Sequence, residues 1–121
     1  MVSVPAFLLR RLYVKGSLSS GEDGFSFRLR NSLGSGYAHK LQPLTVDGGE
    51  IPLESSFFVQ QGERIGFSEV SGDRTFALAM NTDIEISVDG VALGDGPHKI
   101  GMGFDVPGMG TLRFDFTDEI K

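Results

Sequence analysis

The sequence predicts an all-β fold: two antiparallel sheets packed as a sandwich, immunoglobulin-like or jelly-roll-like, with one short N-terminal helix. Three observations carry this expectation. Seventeen glycines break the 121 residues at short intervals, as tight turns between strands require. Most of the ten phenylalanines sit in runs where apolar and polar residues alternate, the period of a half-buried strand. Only residues 5–11 read as helix, with Pro5 suited to a first helical position, Ser3 available as N-cap and good helix formers following. That arm is two turns at most and marginal by itself.

The strands follow in order. Leu12, Val14 and Leu18 alternate with Tyr13, Lys15 and Ser17, and Phe25, Phe27 and Leu29 alternate with Ser26, Arg28 and Arg30, so the two runs are expected to pair as an antiparallel hairpin. Leu41, Leu44 and Val46 form a looser strand broken by Pro43, and Asp47-Gly48-Gly49 turns the chain toward Ile51 and Leu53. Shorter strands are expected over 57–59, 65–70 and 74–80. Ile84, Ile86 and Val88 lead into Asp89-Gly90 and Val91 and Leu93 lead out, which predicts a type I′ hairpin pairing Val88 with Val91 and Ile86 with Leu93. In the closing pair the hydrophobic pattern sets Phe104 opposite Leu112, Met102 opposite Phe114 and Ile100 opposite Phe116. A two-residue turn at Pro107-Gly108 would put those faces out of step, so a loop of about five residues, or a bulge near Gly110, is expected. In this register Gly101 and Gly103 face Asp115 and Arg113, a bare strand that a backbone or ligand could approach. The total is about nine short strands at spacings of roughly 8–12 residues, within one domain over 1–121 and with residues 1–11 as a helix or arm.

Composition narrows the function classes. There is no cysteine, which excludes disulfides, thiolate metal sites and thiol nucleophiles. The net charge of −5 is uneven: residues 1–60 carry six basic and five acidic side chains, residues 61–121 five and eleven. An acidic chain with scattered cations is a poor nucleic-acid binder, because phosphate neutralisation supplies most of that affinity. The apolar run at Val2–Leu9 is followed rather than preceded by Arg10 and Arg11, unlike a secretory signal, and no stretch reaches the length of a membrane span. A cytoplasmic protein is expected.

Catalytic and metal signals are thin. His39 and His98 stand in no metal-ligand spacing, and no nucleophile elbow accompanies them. Acidic residues gather late, at Asp83, Glu85, Asp89, Asp105, Asp115, Asp118 and Glu119. However, Asn81-x-Asp83-x-Glu85 lies on an alternating strand, and an EF-hand loop would need glycine and glutamate where Ile86 and Ala92 stand. Gly34-Ser35-Gly36 and Gly101-x-Gly103 lack the Lys-Ser/Thr and the strand-to-helix setting of a phosphate loop. No cofactor is expected.

The chain from Leu9-Arg10-Arg11-Leu12-Tyr13-Val14-Lys15-Gly16-Ser17-Leu18, with Asp23-Gly24-Phe25-Ser26-Phe27 and Asn31-Ser32-Leu33-Gly34, resembles a family of small uncharacterised prokaryotic β-proteins. The resemblance covers about the first thirty-five residues and implies no function. The run Val88-Asp89-Gly90-Val91, Ile100-Gly101 and Leu112-Arg113-Phe114 is similar to the final strands of forkhead-associated phosphopeptide-binding domains. The Gly-Arg and Ser-x-x-His loops of that family are absent, so this likeness implies a sandwich topology alone.

Surplus apolar side chains supply the functional expectation. The arm around Phe7 and Leu8 is apolar nearly all round, Phe57 and Phe58 are consecutive, and Met102 and Met109 flank the final loop with Val106. These six are the expected contact residues of a non-enzymatic protein-interaction module, a homo-oligomer in the simplest case. A binder of small apolar or carbohydrate ligands is the alternative, and an enzyme pairing carboxylates with His39 or His98 the third.

Overall fold

Residues 5–120 are described by the structure, a computed structural model. Helix α1 (Ala6–Leu9) passes into a 3-10 turn at Arg10–Leu12. Pro5 caps the helix in extended conformation rather than entering it, and the N-cap expected at Ser3 lies outside the described residues. The strands are β1 (Ser19–Ser20), β2 (Gly24–Arg30), β3 (Gly36–Ala38), β4 (Lys40–Leu41), β5 (Thr45–Val46), β6 (Gly49–Glu50), β7 (Ser56–Gln60), β8 (Glu63–Gly66), β9 (Phe76–Leu78), β10 (Asp83–Asp89), β11 (Pro97–Val106) and β12 (Gly110–Glu119). One sheet runs β1-β2-β10-β7-β8 and the other β12-β11-β5-β6, with β4 also pairing β11; β3 and β9 form a small ribbon of their own. The fold is an all-β sandwich, cut into more and shorter strands than expected.

Alternation decides which face is buried. Phe25, Phe27 and Leu29 on β2 and Ile84, Ile86 and Val88 on β10 point inward from the first sheet, and Ile100, Met102, Phe104, Leu112, Phe114 and Phe116 meet them from the second. The buried apolar side chains form one cluster. Two hairpins are closed by two-residue turns with positive φ at both corners, Asp47-Gly48 (51° and 91°) and Gln61-Gly62 (52° and 80°), the geometry of a type I′ turn.

The type I′ hairpin expected at Asp89-Gly90 does not form. Strand β10 is central: β2 pairs with it along one edge over Asp83–Asp89 and β7 along the other over Glu85–Val88, so no edge remains for residues 91–93. The Gly90 N–H instead donates to the Asp23 carbonyl (2.7 Å), and the chain crosses to the second sheet with Val91 and Leu93 half-buried against the core. The first expected hairpin forms only in part. Tyr13 bridges Leu29, and Ser19 and Ser20 pair with Ser26 and Phe25, but six steps of chain on one side face three on the other. The extra residues fold into a bulge held by the Ser17 hydroxyl, which accepts from the Arg28 N–H (3.0 Å) and donates to the Val14 carbonyl (2.6 Å).

The closing pair has the expected register, Phe104–Leu112, Met102–Phe114 and Ile100–Phe116. Its ladder continues to Val106–Gly110, leaving a loop of only Pro107, Gly108 and Met109, because Gly110 takes φ +79° and the Met109 N–H closes on the Val106 carbonyl (3.0 Å). The bare strand is filled from within the chain. A Cβ on Gly101 would lie 2.4 Å from Thr45 Oγ1, and one on Gly103 would lie 3.1 Å from Arg113 Cγ and 3.3 Å from Gln42.

The N-terminal segment packs along the outer edge of β12. Arg10 Nε donates to the Asp115 carbonyl (2.6 Å), the Tyr13 ring stacks on Phe116 (3.6 Å between centroids, 9° between planes), and the Tyr13 hydroxyl donates to Asp118 (2.7 Å). Covering an edge strand in this way satisfies backbone groups that would otherwise template pairing with another chain. Among the described residues, no helix is long and apolar enough to cross a membrane.

Candidate binding cleft

At the end of the sandwich where β11 turns into β12, the N-terminal segment, the β3–β9 ribbon and the β11–β12 pair enclose an apolar cleft of about 310 Å³. One wall is Leu9 and Leu12 from the N-terminal segment, the floor is Ala38, Phe76 and Leu78 from the β3–β9 ribbon, and the far wall is Phe104, Val106, Met109 and Leu112. The loop 31–36 between β2 and β3 forms the lip, carrying Leu33; Tyr37 on β3 stands beside it.

Asn31 shapes that lip. It is buried, and its side chain uses its full capacity within the chain. The amide nitrogen donates to the carbonyls of Leu78 (3.0 Å) and Gly34, while the amide oxygen accepts the N–H groups of Leu33 (3.0 Å) and Gly34 (3.2 Å). An asparagine three residues before a glycine-serine run thus turns the loop on itself. The Ser35 hydroxyl accepts the Met80 N–H (3.1 Å), fastening the loop to the chain leaving β9. The outcome is a rigid lip with apolar side chains aimed outward. Among the described residues four large hydrophobic side chains are exposed, and three of them are Leu33 on this loop, Tyr37 beside it on β3 and Met80 on the chain that fastens it. The fourth is Phe7, 65% exposed on α1.

The expected contact residues divide. Phe7 is exposed, Leu8 half-buried, and Met109 lines the cleft. Phe58 and Met102 are core residues, 0% and 2% exposed, so neither offers a contact surface. Alternation puts Phe57 on the outer face of the sheet, where the Arg64 guanidinium covers it at 3.8 Å from the ring centroid. Sequence reasoning passed over Leu33, Tyr37 and Met80 as contact residues. The usable signal was Asn31 ahead of Gly34-Ser35-Gly36, a turn with a leucine at its crest.

The titratable groups lie apart from the cleft's floor. Asp83 binds Arg30 (2.5 Å) and Arg28 (3.9 Å), Asp89 binds Arg64 (2.7 Å), Asp115 binds Arg10 (3.4 Å) and Lys99 (3.8 Å), and Arg74 reaches Glu63. Asp105 accepts from the Thr111 hydroxyl (2.6 Å) and the Gln42 amide (3.1 Å), which hold its carboxyl below the usual range. Burial and the Asp118 carboxylate push the Tyr13 phenol up to about 12. His98 faces Asp47 across the outer surface, far along the chain from His39. Among the described residues, no group of three or more histidine or acidic side chains could hold a metal ion.

An all-β sandwich domain with an apolar cleft at one end and its ion pairs dispersed over the outer faces is the class these features define. Residues 8–121 match the family described as hydroxymethylglutaryl-CoA reductase, N-terminal domain, and the chain belongs to that family. The match runs far beyond the thirty-five residues that resemble small prokaryotic β-proteins, and it is the more specific assignment. No curated protein matches the chain.

Proposed function

We propose that this chain is a non-enzymatic protein-contact module that binds through the apolar cleft and its lip, with a second copy as the simplest partner. The observation that carries the reading is the exposure of Leu33 and Tyr37 on the rim of one concavity, with Met80 on the chain fastened to that rim, while among the described residues Phe7 is the one other exposed large apolar side chain. Exposed apolar surface gathered at one place marks interaction sites on soluble proteins. The family description speaks of an N-terminal domain, which accords with a module that works against another protein surface. A cytoplasmic setting is part of the proposal, in keeping with a chain that carries no cysteine.

Sedimentation equilibrium tests it. The intact chain is expected to self-associate at high micromolar concentration, and Leu33→Asp and Tyr37→Asp to be monomeric with unchanged melting temperatures. Strictly monomeric intact chain at that concentration would overturn self-association. The cleft volume favours a second reading, since about 310 Å³ is the lower end of small-ligand pockets. Stabilisation by small apolar compounds in a thermal-shift panel, without association, would favour a ligand-binding module instead.

A further inference from the structure

Where the β5–β6 turn meets the start of β11, three separate pieces of chain meet on one imidazole. His98 lies near the start of β11 with 15% of its side chain exposed. Its Nδ1 stands 2.8 Å from Asp47 Oδ2, in the turn joining β5 to β6, and its Nε2 stands 2.7 Å from the Gly94 carbonyl oxygen, in the crossover that carries the chain from the first sheet to the second. Both partners are acceptors only. A neutral imidazole has one N–H and would leave its other nitrogen facing an oxygen lone pair; only the imidazolium donates to both. Asp47 is tied further, accepting the Lys99 N–H at Oδ1 (2.9 Å) while its own N–H donates to the Lys99 carbonyl (2.8 Å).

We propose that His98, Asp47 and Gly94 form a proton-dependent latch that closes the inter-sheet crossover onto the second sheet when His98 is protonated and releases it when His98 is neutral. The crossover has few other fastenings: Gly90 N–H to the Asp23 carbonyl (2.7 Å) at its start, Leu93 N–H to the Ser20 hydroxyl (2.8 Å) and the half-buried Val91 and Leu93 side chains. Asp47, Gly48 and Lys99 also form part of a shallow groove on the outer face of the second sheet, so the state of the latch sets one wall of that groove. The charged groups around His98 are Asp47 from the β5–β6 turn, Asp95 beside Gly94, and Lys99 next along β11, whose ammonium turns to Asp115 (3.8 Å). From β12 come Asp118, opposite His98 in the ladder, and Glu119, opposite Pro97. Asp118 is already engaged by the Tyr13 hydroxyl and the Gly16 N–H. Carboxylates outnumber cations here, which favours the protonated ring.

The direction of the pH response follows from both partners. The hydrogen bond to Asp47 raises the His98 value above an ordinary imidazole's 6.5, so its contribution is complete below 6.5 and lost as pH rises through the raised value. Asp47 is lowered below 3.8 by the Lys99 N–H and by His98, so its contribution is present above 3.8 and lost as pH falls through the lowered value. The latch therefore holds from mildly acid conditions to somewhat above pH 6.5, and opens on the alkaline side.

Nitrogen-15 NMR of the full chain reads the latch directly. At pH 6 both His98 ring nitrogens are expected to be protonated, with a titration midpoint above 6.5 and assignment by His98→Gln. Protection of the Lys99 amide, taken relative to its intrinsic exchange rate at each pH, is expected to fall severalfold through the same midpoint. Asp47→Asn keeps a residue that tolerates the left-handed conformation of that turn, so the fold is retained while the midpoint returns to about 6.5. A His98 midpoint at or below 6.5 in the intact chain would overturn the latch. So would Lys99 protection that stays constant across the titration.

Discussion

A single buried asparagine shows how much a residue can determine. Asn31 makes four hydrogen bonds with backbone groups of loop 31–36 and β9, and all of them disappear together if the side chain is removed. A buried donor or acceptor left without a partner costs roughly 1–3 kcal/mol. Asn31→Ala is therefore expected to destabilise the chain by about 2–3 kcal/mol in chemical denaturation and to loosen the lip that presents Leu33. A loss under about 0.5 kcal/mol would mean that water replaces the amide and that the lip is not built as described. Other residues were less legible. Phe58 and Met102 read as surplus apolar surface because a strand's two faces look alike until the neighbouring sheet is placed. Leu33 and Tyr37 carried no signal of their own, because exposure depends on what the surrounding chain folds against.

At the scale of elements, the sequence recorded local pairing well and competition between pairings poorly. The register of β11 on β12 was legible because both strands alternate over ten residues, and only one alignment buries both faces. The Asp89-Gly90 hairpin was misread because a turn signal says nothing about the rival partners of the strand before it. β10 satisfies both edges with β2 and β7, and that choice lies in residues some 30 to 60 positions away. The type I′ turns instead fall at Asp47-Gly48 and Gln61-Gly62. The central pairing also imposes a steric demand where β2 begins, since a Cβ on Gly24 would lie 2.0 Å from the Val88 carbonyl oxygen. Backbone on both sides leaves little to yield. Gly24→Ala is expected to lower stability by about 1–3 kcal/mol, whereas Gly21→Ala, with open space around it, should change it little. Equal melting temperatures for the two variants would contradict the close approach of β2 and β10.

For the whole molecule, the sandwich class was legible from alternation and glycine spacing, while the cleft was not, since it exists only where several elements end together. The arm could be read as apolar but its berth could not, because nothing local connects Arg10 and Tyr13 with residues more than a hundred positions later. Those contacts make the arm part of the fold. Removing residues 1–12 strips Leu9 and Leu12 from the core and uncovers the outer edge of β12. The shortened chain is expected to aggregate or to unfold at a much lower temperature, monitored by light scattering and circular dichroism. A monodisperse product with an unchanged melting temperature would show that the edge needs no cover.

The same berth has a consequence in time. Arg10 and Asp115 are 105 residues apart, as are Tyr13 and Asp118. During synthesis at about 5–20 residues per second, the arm is made before the strand that receives it and waits on the order of 5–20 s for it. Through that interval its leucines and aromatic ring have no native partner, and the second sheet lacks the β11–β12 pair on which its other strands assemble. A ribosome stalled anywhere before β12 therefore holds a chain that cannot close. Folding here is gated by completion of the far strand, and the exposed arm is what a nascent-chain chaperone would meet in the meantime.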